Sequence, residues 1–329
     1  MIRQEAIAAA IDRRRALLAS LAAEGTDCVR LFHGAVEGRP GLAIDRYGPV
    51  LLVQSWGVPL DEENRDTIVR TLCTSLGEEL APAFIDRSER GAHLGDDPRL
   101  PSAAGRELGL TYDVRPFHGG QDPLLFLDLR VLRRRVKETA RGVSVLNLFS
   151  YTCGLGVAAA AGGAREIVNV DFAASALEIG RANAARNGIA DTAFRTIEEN
   201  AIPILRQFAD MPVKGRGSRR PYVRVAARRF DLVLLDPPRW AKTPFGAIDV
   251  ERDYASLLRP AIRCVAAGGR LAATCHVPSM SRDAFDHALR RSAERESRDI
   301  SALEWLVPEA DFPSPDAQPP LKIAVATLA

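Results

Sequence analysis

The spacing of apolar positions gives the chain two textures. Residues 2–23 set Ile7, Ile11, Leu18 and Leu21 along one stripe, the period of an amphipathic helix, and Gly25 stops it. Short extended runs follow at 29–33, 42–45 and 50–55, separated by Glu37-Gly38-Arg39-Pro40-Gly41 and by Arg46-Tyr47-Gly48-Pro49. That punctuation predicts hairpins. A helix over 60–76 and short strands at 84–86 and 110–114 complete a small α+β region. The texture changes after Gly119-Gly120, where strands alternate with helices. The pattern predicts helix 127–140, strand 143–149, helix 155–161, strand 166–170 ending in Asp171, and helix 174–187 closed by Gly188. Strand 230–235, a helix around 252–266, the Gly268-Gly269 turn and strand 270–274 follow. Such alternation implies βαβ units and a mainly parallel sheet, an α/β Rossmann-like domain preceded by a small α+β domain. The expected division is an N-terminal helix over 1–25, the small domain over 26–115 and the α/β domain over 116–329.

Length and composition narrow the classes. With 329 residues, 47% hydrophobic and 26% charged, the chain has material for two domains and a sizeable core. No apolar run approaches the roughly 20 residues of a membrane helix. Glu5, Asp12 and Arg13-Arg14-Arg15 near the start are unlike a secretory signal, so a cytoplasmic location is the expectation. Five cysteines, at 28, 73, 153, 264 and 275, are widely spaced without a CxxC, which argues against a disulfide framework or a zinc site. Net charge is only +2, but residues 211–229 hold seven basic side chains and no acid. They are Lys214, Arg216, Arg219, Arg220, Arg224, Arg228 and Arg229. That run is either a solvated loop or a phosphate contact. Arg13-Arg14-Arg15 and Arg133-Arg134-Arg135 are expected on helix surfaces.

Candidate chemistry collects at the carboxyl ends of the predicted strands, where open α/β sheets bind ligands. After strand 143–149 comes Ser150-Tyr151-Thr152-Cys153-Gly154-Leu155-Gly156. Gly154 and Gly156 allow close backbone approach, and with Ala159 they match G-x-G-x-x-A. In a dinucleotide fold the first glycine follows the strand almost at once. Here four residues intervene, a wider loop suited to a ligand without a pyrophosphate, such as S-adenosylmethionine. A plain strand-to-helix turn is the alternative. Asp171 is placed to accept from ribose hydroxyls, or to cap the helix that follows. Asn200 and Glu199 fall where a third strand end belongs and could accept from an adenine amino group, or lie in a loop. Asp236-Pro237-Pro238 ends a buried strand with one carboxylate and a stiff turn. Arg239 and Trp240 add a cation and a stacking face for a base. Cys275 follows strand 270–274. A lone strand cysteine is ordinarily a small hydrophobe, the reading given to Cys28, Cys73 and Cys264. The strand-end place of Cys275 makes it a candidate nucleophile. His276, next in the strand, points the other way, which disfavours a Cys–His dyad. Ser281 and Asp283 are expected to cap the next helix.

Together these residues resemble the class I S-adenosylmethionine-dependent methyltransferases. More narrowly the chain resembles the cytosine-5 methyltransferase family of large-subunit ribosomal RNA. The resemblance is carried by Val29-Arg30-Leu31-Phe32-His33-Gly34, the hairpin Gly38-Arg39-Pro40-Gly41-Leu42-Ala43-Ile44-Asp45-Arg46-Tyr47-Gly48 and Phe126-Leu127-Asp128-Leu129-Arg130. Asn147-Leu148-Phe149-Ser150-Tyr151-Thr152, Val170-Asp171, Asp236-Pro237-Pro238-Arg239 and Thr274-Cys275 extend it. The hairpin is its most family-specific piece. The resemblance implies S-adenosyl-L-methionine as cofactor, with contacts from Arg130, Ser150, Tyr151, Gly154, Asp171, Asn200 and Asp236; Gly156 joins this set from the glycine pattern. It implies Cys275 as nucleophile and an RNA, ribosomal in this family, as partner. Pro237, Pro238, Arg239 and Trp240 are the expected substrate contacts. The family usually carries a small RNA-binding domain at its N-terminus, where a single helix comes first here. Its usual glutamine before Arg130 is Leu129, and the loop 211–229 is longer than expected. The implied chemistry is methylation of cytosine C5 through a cysteine–C6 adduct, with Asp236 on the base edge. Methylation of a base nitrogen without an adduct, and a non-catalytic RNA-binding module, are the alternatives.

Overall fold

The computed structural model describes residues 3–57, 59–87, 103–115, 123–213, 221–316 and 318–329. Gly119-Gly120 and Lys214, Arg216, Arg219 and Arg220 lie outside them. The chain packs as two units, Met1–Arg130 with Pro308–Pro319, and Val131–Val307 with Pro320–Ala329. The sequence expectation placed its boundaries at 25 and 115. The first helix shares the core of the unit it precedes, the boundary falls at Arg130, and a later segment returns to the first unit.

In the first unit, helix α1 (Gln4–Ala23) is followed by strands β1 (Cys28–His33), β2 (Leu42–Tyr47) and β3 (Val50–Ser55), helix α2 (Glu62–Leu76) and strand β4 (Ala81–Asp86). They form a four-stranded sheet in the order β1-β2-β3-β4. The first three strands run antiparallel, while β3 and β4 run parallel through the α2 crossover. Ile7, Ile11 and Leu21 bury their stripe with Leu31, Ile44, Leu51 and Ile68. Asp61 caps α2 by accepting from the Asn64 N–H, and Gly77 closes it at φ 69°. Strands β5 (Ala103–Glu107) and β6 (Leu110–Val114) make a separate hairpin on a two-residue turn, Leu108-Gly109, with both φ values positive. The mirror-image turns of tight hairpins need that conformation. Arg14 is not a surface residue as expected. It is buried and bonds both Glu37 oxygens.

The second unit begins at Val131 in α3 (Arg130–Thr139) and continues through β7 (Ser144–Leu148), α4 (Gly154–Ala161), β8 (Glu166–Asp171), α5 (Ala174–Arg186), β9 (Phe194–Glu198) and α6 (Ala201–Phe208). Then come β10 (Phe230–Leu235), the hairpin β11 (Trp240–Thr243) and β12 (Gly246–Asp249), α7 (Val250–Asp253), α8 (Ala255–Arg263), β13 (Val265–Cys275), α9 (Arg282–Arg295), β14 (Ile300–Leu306) and β15 (Lys322–Leu328). Seven strands form one sheet, ordered β14-β15-β13-β10-β7-β8-β9. Its five strands from β13 to β9 are parallel, and β15 and β14 add an antiparallel edge. This is the expected α/β, Rossmann-like architecture. The buried runs Phe230–Leu235 and Ser144–Leu148 suit a sheet covered on both faces.

Local differences have local causes. The helix expected around 252–266 is two short helices, and β13 begins before the Gly268-Gly269 pair. Gly268 at φ 71° lets the strand bulge, and its register against β10 jumps from Val265 to Arg270. Arg133, expected on a surface, is buried. Ser281 caps α9 by accepting from the Ala284 N–H. Among the described residues no helix is long and apolar enough to cross a membrane.

Three substitutions test these elements. The fully buried Arg130 donates to Asp311 Oδ1 at 2.6 Å, so Asp311→Ala should destabilise the protein by about 3 kcal/mol, the penalty of uncovering a buried charge. Asp61→Ala, which removes only an exposed cap, should cost about 1 kcal/mol in the same urea unfolding series. A Cβ on Gly156 would lie 2.2 Å from Asn169 Oδ1, where α4 crosses β8. Gly156→Ala should therefore cost about 1–3 kcal/mol by overpacking, read from the same curves.

Candidate active site

Strand register brings the sequence motifs of the second unit to one sheet edge. Leu235 of β10 pairs with Leu148 of β7 and with Ala273 of β13. Leu148 in turn pairs with Val170 of β8, and Asp171 with Glu198 of β9. One residue further, the chain reaches Phe149 to Cys153, Asp171, Glu199-Asn200, Asp236 and Thr274 to His276 at neighbouring strand ends.

The loop after β7 is tightly wound. Phe149, Tyr151 and Cys153 have φ of 58°, 48° and 59°. Three side-chain-bearing residues in the left-handed region are unfavourable unless their surroundings hold them. Here the Tyr151 N–H donates to Asp171 Oδ2 at 2.8 Å, and the Ser150 N–H donates to the Val170 carbonyl at 3.0 Å. Cys153 is buried beneath α5, where Gly180 leaves room for its sulfur, and burial pushes its thiol up to about 12. It is an inert filler of the loop.

Asp171 carries both readings at once. Its Oδ1 accepts from the Ala173 N–H at 2.9 Å and its Oδ2 from Tyr151. Burial pushes its carboxyl up, against those backbone donors. Each oxygen keeps a second lone pair, and the side chain stays 7% exposed at the strand end. Asn200 is the N-cap of α6, its Oδ1 accepting from the Ile202 N–H at 2.9 Å. Glu199 bonds the N–H groups of Asn200 and Val223. The segment 194–201, poorly patterned in sequence, is a strand end and a helix cap.

Asp236 is the most constrained carboxylate at this edge. Thr274 Oγ1 and His276 Nε2 both reach its Oδ1, the latter at 3.0 Å. Burial alone would push the carboxyl up, but His276, the Thr274 hydroxyl and the charge of Arg133 outweigh it and hold it below the ordinary range. Pro237 is buried and Pro238 exposed. Arg239 pairs with Glu251 at 2.9 Å, and Trp240 is 61% exposed. Both line a surface groove of about 340 Å³ with Asp249, Glu251 and Arg252.

Cys275 faces the other way along β13. Its side chain is 0% exposed, joins the core beside Val277 and Phe285, and sets Sγ 3.5 Å from Met280 Sδ. Burial pushes the thiol up, opposed by the Val277 N–H and the charge of Lys322. Asp236 is therefore gathered with Thr274 and His276, whereas Cys275 is not turned toward it. The role of Thr274 and His276 was missed in the sequence. The period-two alternation that separates His276 from Cys275 also puts residues 274 and 276 on one side of the strand.

Two expected cofactor residues also have structural work. Arg130 is fully buried in the first unit. Its three guanidinium nitrogens donate to Glu309 Oε2, the Cys28 carbonyl and Asp311 Oδ1. Gly156 is the packing glycine against Asn169. In the loop 211–229, the described Arg228 bonds both oxygens of Glu166 and Arg224 stacks on Tyr222.

The remaining strand-end set fits S-adenosylmethionine. Asp171 offers ribose acceptors, the Ser150–Gly154 loop a backbone cradle, and Asn147 Oδ1 is a buried acceptor without a partner among the described residues. The family model of S-adenosylmethionine-dependent methyltransferases matches residues 29–326. A "Ribosomal RNA large subunit methyltransferase I" from Aeromonas hydrophila is 30% identical over 307 residues, covering 90% of this chain and 72% of the relative. A "Ribosomal RNA large subunit methyltransferase" from Deinococcus radiodurans is 31% identical, over 88% of this chain and 70% of its own. A solved methyltransferase candidate complexed with SAH superposes with a TM-score of 0.80 at 23% identity, over 99% of this chain and 82% of that one, a likeness of fold. The strand-end site, the sheet and these matches agree, and the chain belongs to the S-adenosylmethionine-dependent methyltransferase family.

Proposed function

We propose that this chain methylates a cytosine of large-subunit ribosomal RNA at C5. The observation that carries the reading is Asp236, held as a carboxylate at the end of β10 with Cys275 one residue beyond its partner Thr274. The names of the relatives support ribosomal RNA as the substrate class. The family resemblance, carried most specifically by the hairpin from Gly38 to Gly48, supports cytosine.

S-adenosylmethionine supplies an electrophilic methyl group when bound, held by Ser150, Tyr151, Gly154, Asp171 and Asn200. Cytosine C5 is a weak nucleophile. The Cys275 thiolate adds to C6 and makes C5 enamine-like. For that addition Met280 has to leave the Cys275 sulfur, which it covers at rest. Asp236 accepts from the base edge and holds the base in position for the addition. Once C5 carries the transferred methyl group, loss of its proton re-forms the C5–C6 double bond and expels Cys275 as thiolate. The target base has to be unpaired or flipped, and Arg239 and Trp240 flank its path as cation and stacking face. A second reading, transfer to a base nitrogen without an adduct, is favoured by one observation: the Cys275 thiol is buried and pushed up rather than activated.

Asp171→Ala should weaken S-adenosylmethionine binding by about 1–3 kcal/mol in calorimetry, the loss of a charged acceptor. Unchanged affinity would leave Asp171 only its loop-bracing role. RNA containing 5-fluorocytidine separates the two readings. Fluorine cannot leave C5 as a proton does, so wild type with cofactor should give a retarded band on a denaturing gel, and Cys275→Ser should give none. Absence of the band, with the unfluorinated RNA methylated, moves the assignment to a nitrogen.

A further inference from the structure

Asp236 has two oxygens and only one of them is engaged. Oδ1 receives both the Thr274 hydroxyl and His276 Nε2. Oδ2 accepts no hydrogen bond among the described residues, and the side chain is 17% exposed. We propose that Thr274 and His276 are positioning residues that lock Asp236 so that Oδ2 alone meets the target base, at an amino group. This rests on the reading that an RNA base is methylated at this edge.

Two donors on one oxygen fix the rotation of a carboxylate more firmly than one. The Thr274 donor is itself held. Thr274 is fully buried, and its carbonyl accepts from the Tyr254 hydroxyl at 2.6 Å. Tyr254 stacks on Phe285 with ring centroids 5.3 Å apart. The pairing of Leu235 with Ala273 carries Asp236 and Thr274 side by side out of the sheet. His276 follows two residues after Thr274 and so returns to the same side, with Cys275 turned to the other. The strand end divides its work: positions 274 and 276 set the carboxylate, and position 275 carries the thiol.

A carboxylate is an acceptor only. A fixed, open Oδ2 accepts from the exocyclic amino group of cytosine and repels the carbonyl oxygen that uracil carries at that place. Positioning by Thr274 and His276 is thus a device for choosing an amino-bearing pyrimidine, beyond any contribution to rate. A neutral His276 with its proton on Nε2 meets the requirement, because only a donor is needed.

The test uses the full chain, S-adenosylmethionine and unmodified large-subunit rRNA transcript, with nucleoside products read by mass spectrometry. A second transcript carries uridine at the mapped target. His276→Leu and Thr274→Val should each lower kcat about 10- to 100-fold, the worth of a hydrogen bond to a charged group, with KM for RNA little changed. The preference for cytosine over uridine should narrow in both. His276→Gln and Thr274→Ser, which keep a donor, should recover kcat and preference to within a factor of a few. Circular dichroism and S-adenosylmethionine binding establish that each variant is folded. Wild-type kcat and wild-type preference in the folded Leu and Val variants would overturn the inference while 5-methylcytidine formation stands. Conservative variants no better than the disruptive ones would reduce both residues to packing and overturn it equally. A wild-type product other than 5-methylcytidine fails the underlying reading, and the inference with it.

Discussion

The parallel register of β7, β8, β10 and β13 is the constraint on which the site depends. Each strand contributes one chemically useful position just past its last paired residue, and pairing of Leu148, Val170, Leu235 and Ala273 aligns those positions. A shift of one residue in β13 would bring Cys275 toward Asp236 and turn Thr274 and His276 into the core, because side chains alternate with period two. The register is enforced by burial. Every residue of β7 is buried, as are the apolar positions of β10, so a slip has no polar face to settle on.

The loop after β7 shows how that edge is made to bind rather than merely end. Phe149, Tyr151 and Cys153 occupy left-handed backbone that a tight turn normally gives to glycine. The strain is held by Asp171, whose carboxylate bonds the Tyr151 N–H, and by Gly180, which makes room for Cys153. One acidic side chain therefore braces the loop and faces the strand end. Removing it acts on loop shape as well as on any ligand, so affinity has to be read alongside stability.

Much of this was legible in the chain. The β10 strand, its Asp-Pro-Pro stop and the alternation of strands with helices follow from runs of apolar residues bounded by turn formers. Other parts were not legible, for physical reasons. Antiparallel β14 and β15 have no helix between them among the described residues, so the alternation that announces a parallel sheet breaks off there. The Phe194–Glu198 strand has exposed positions at an edge and breaks the buried pattern. Arg130 was expected at the cofactor, and the structure pairs it with Glu309 and Asp311, far along the chain, in a buried cluster. Only a long-range fold brings those carboxylates back.

Cys275 shows why a motif and a mechanism are different statements. Its place at the strand end is what a nucleophile needs, whereas its rest state is that of a core cysteine, unexposed and with its thiol pushed up by burial. A thiolate exposed in water-filled space would be open to oxidation and off-target reaction. A buried thiol avoids both, at the price of needing a trigger. Under the proposed mechanism that trigger acts on what covers the sulfur, Met280, an unbranched thioether with three rotatable bonds. Asp236, by contrast, is set before the base arrives, because its two donors come from the strand that carries the thiol. Strand alternation thus puts the preorganised carboxylate and the buried thiol on opposite sides of β13, and under the proposed mechanism the base would be read by Asp236 before the thiol is uncovered.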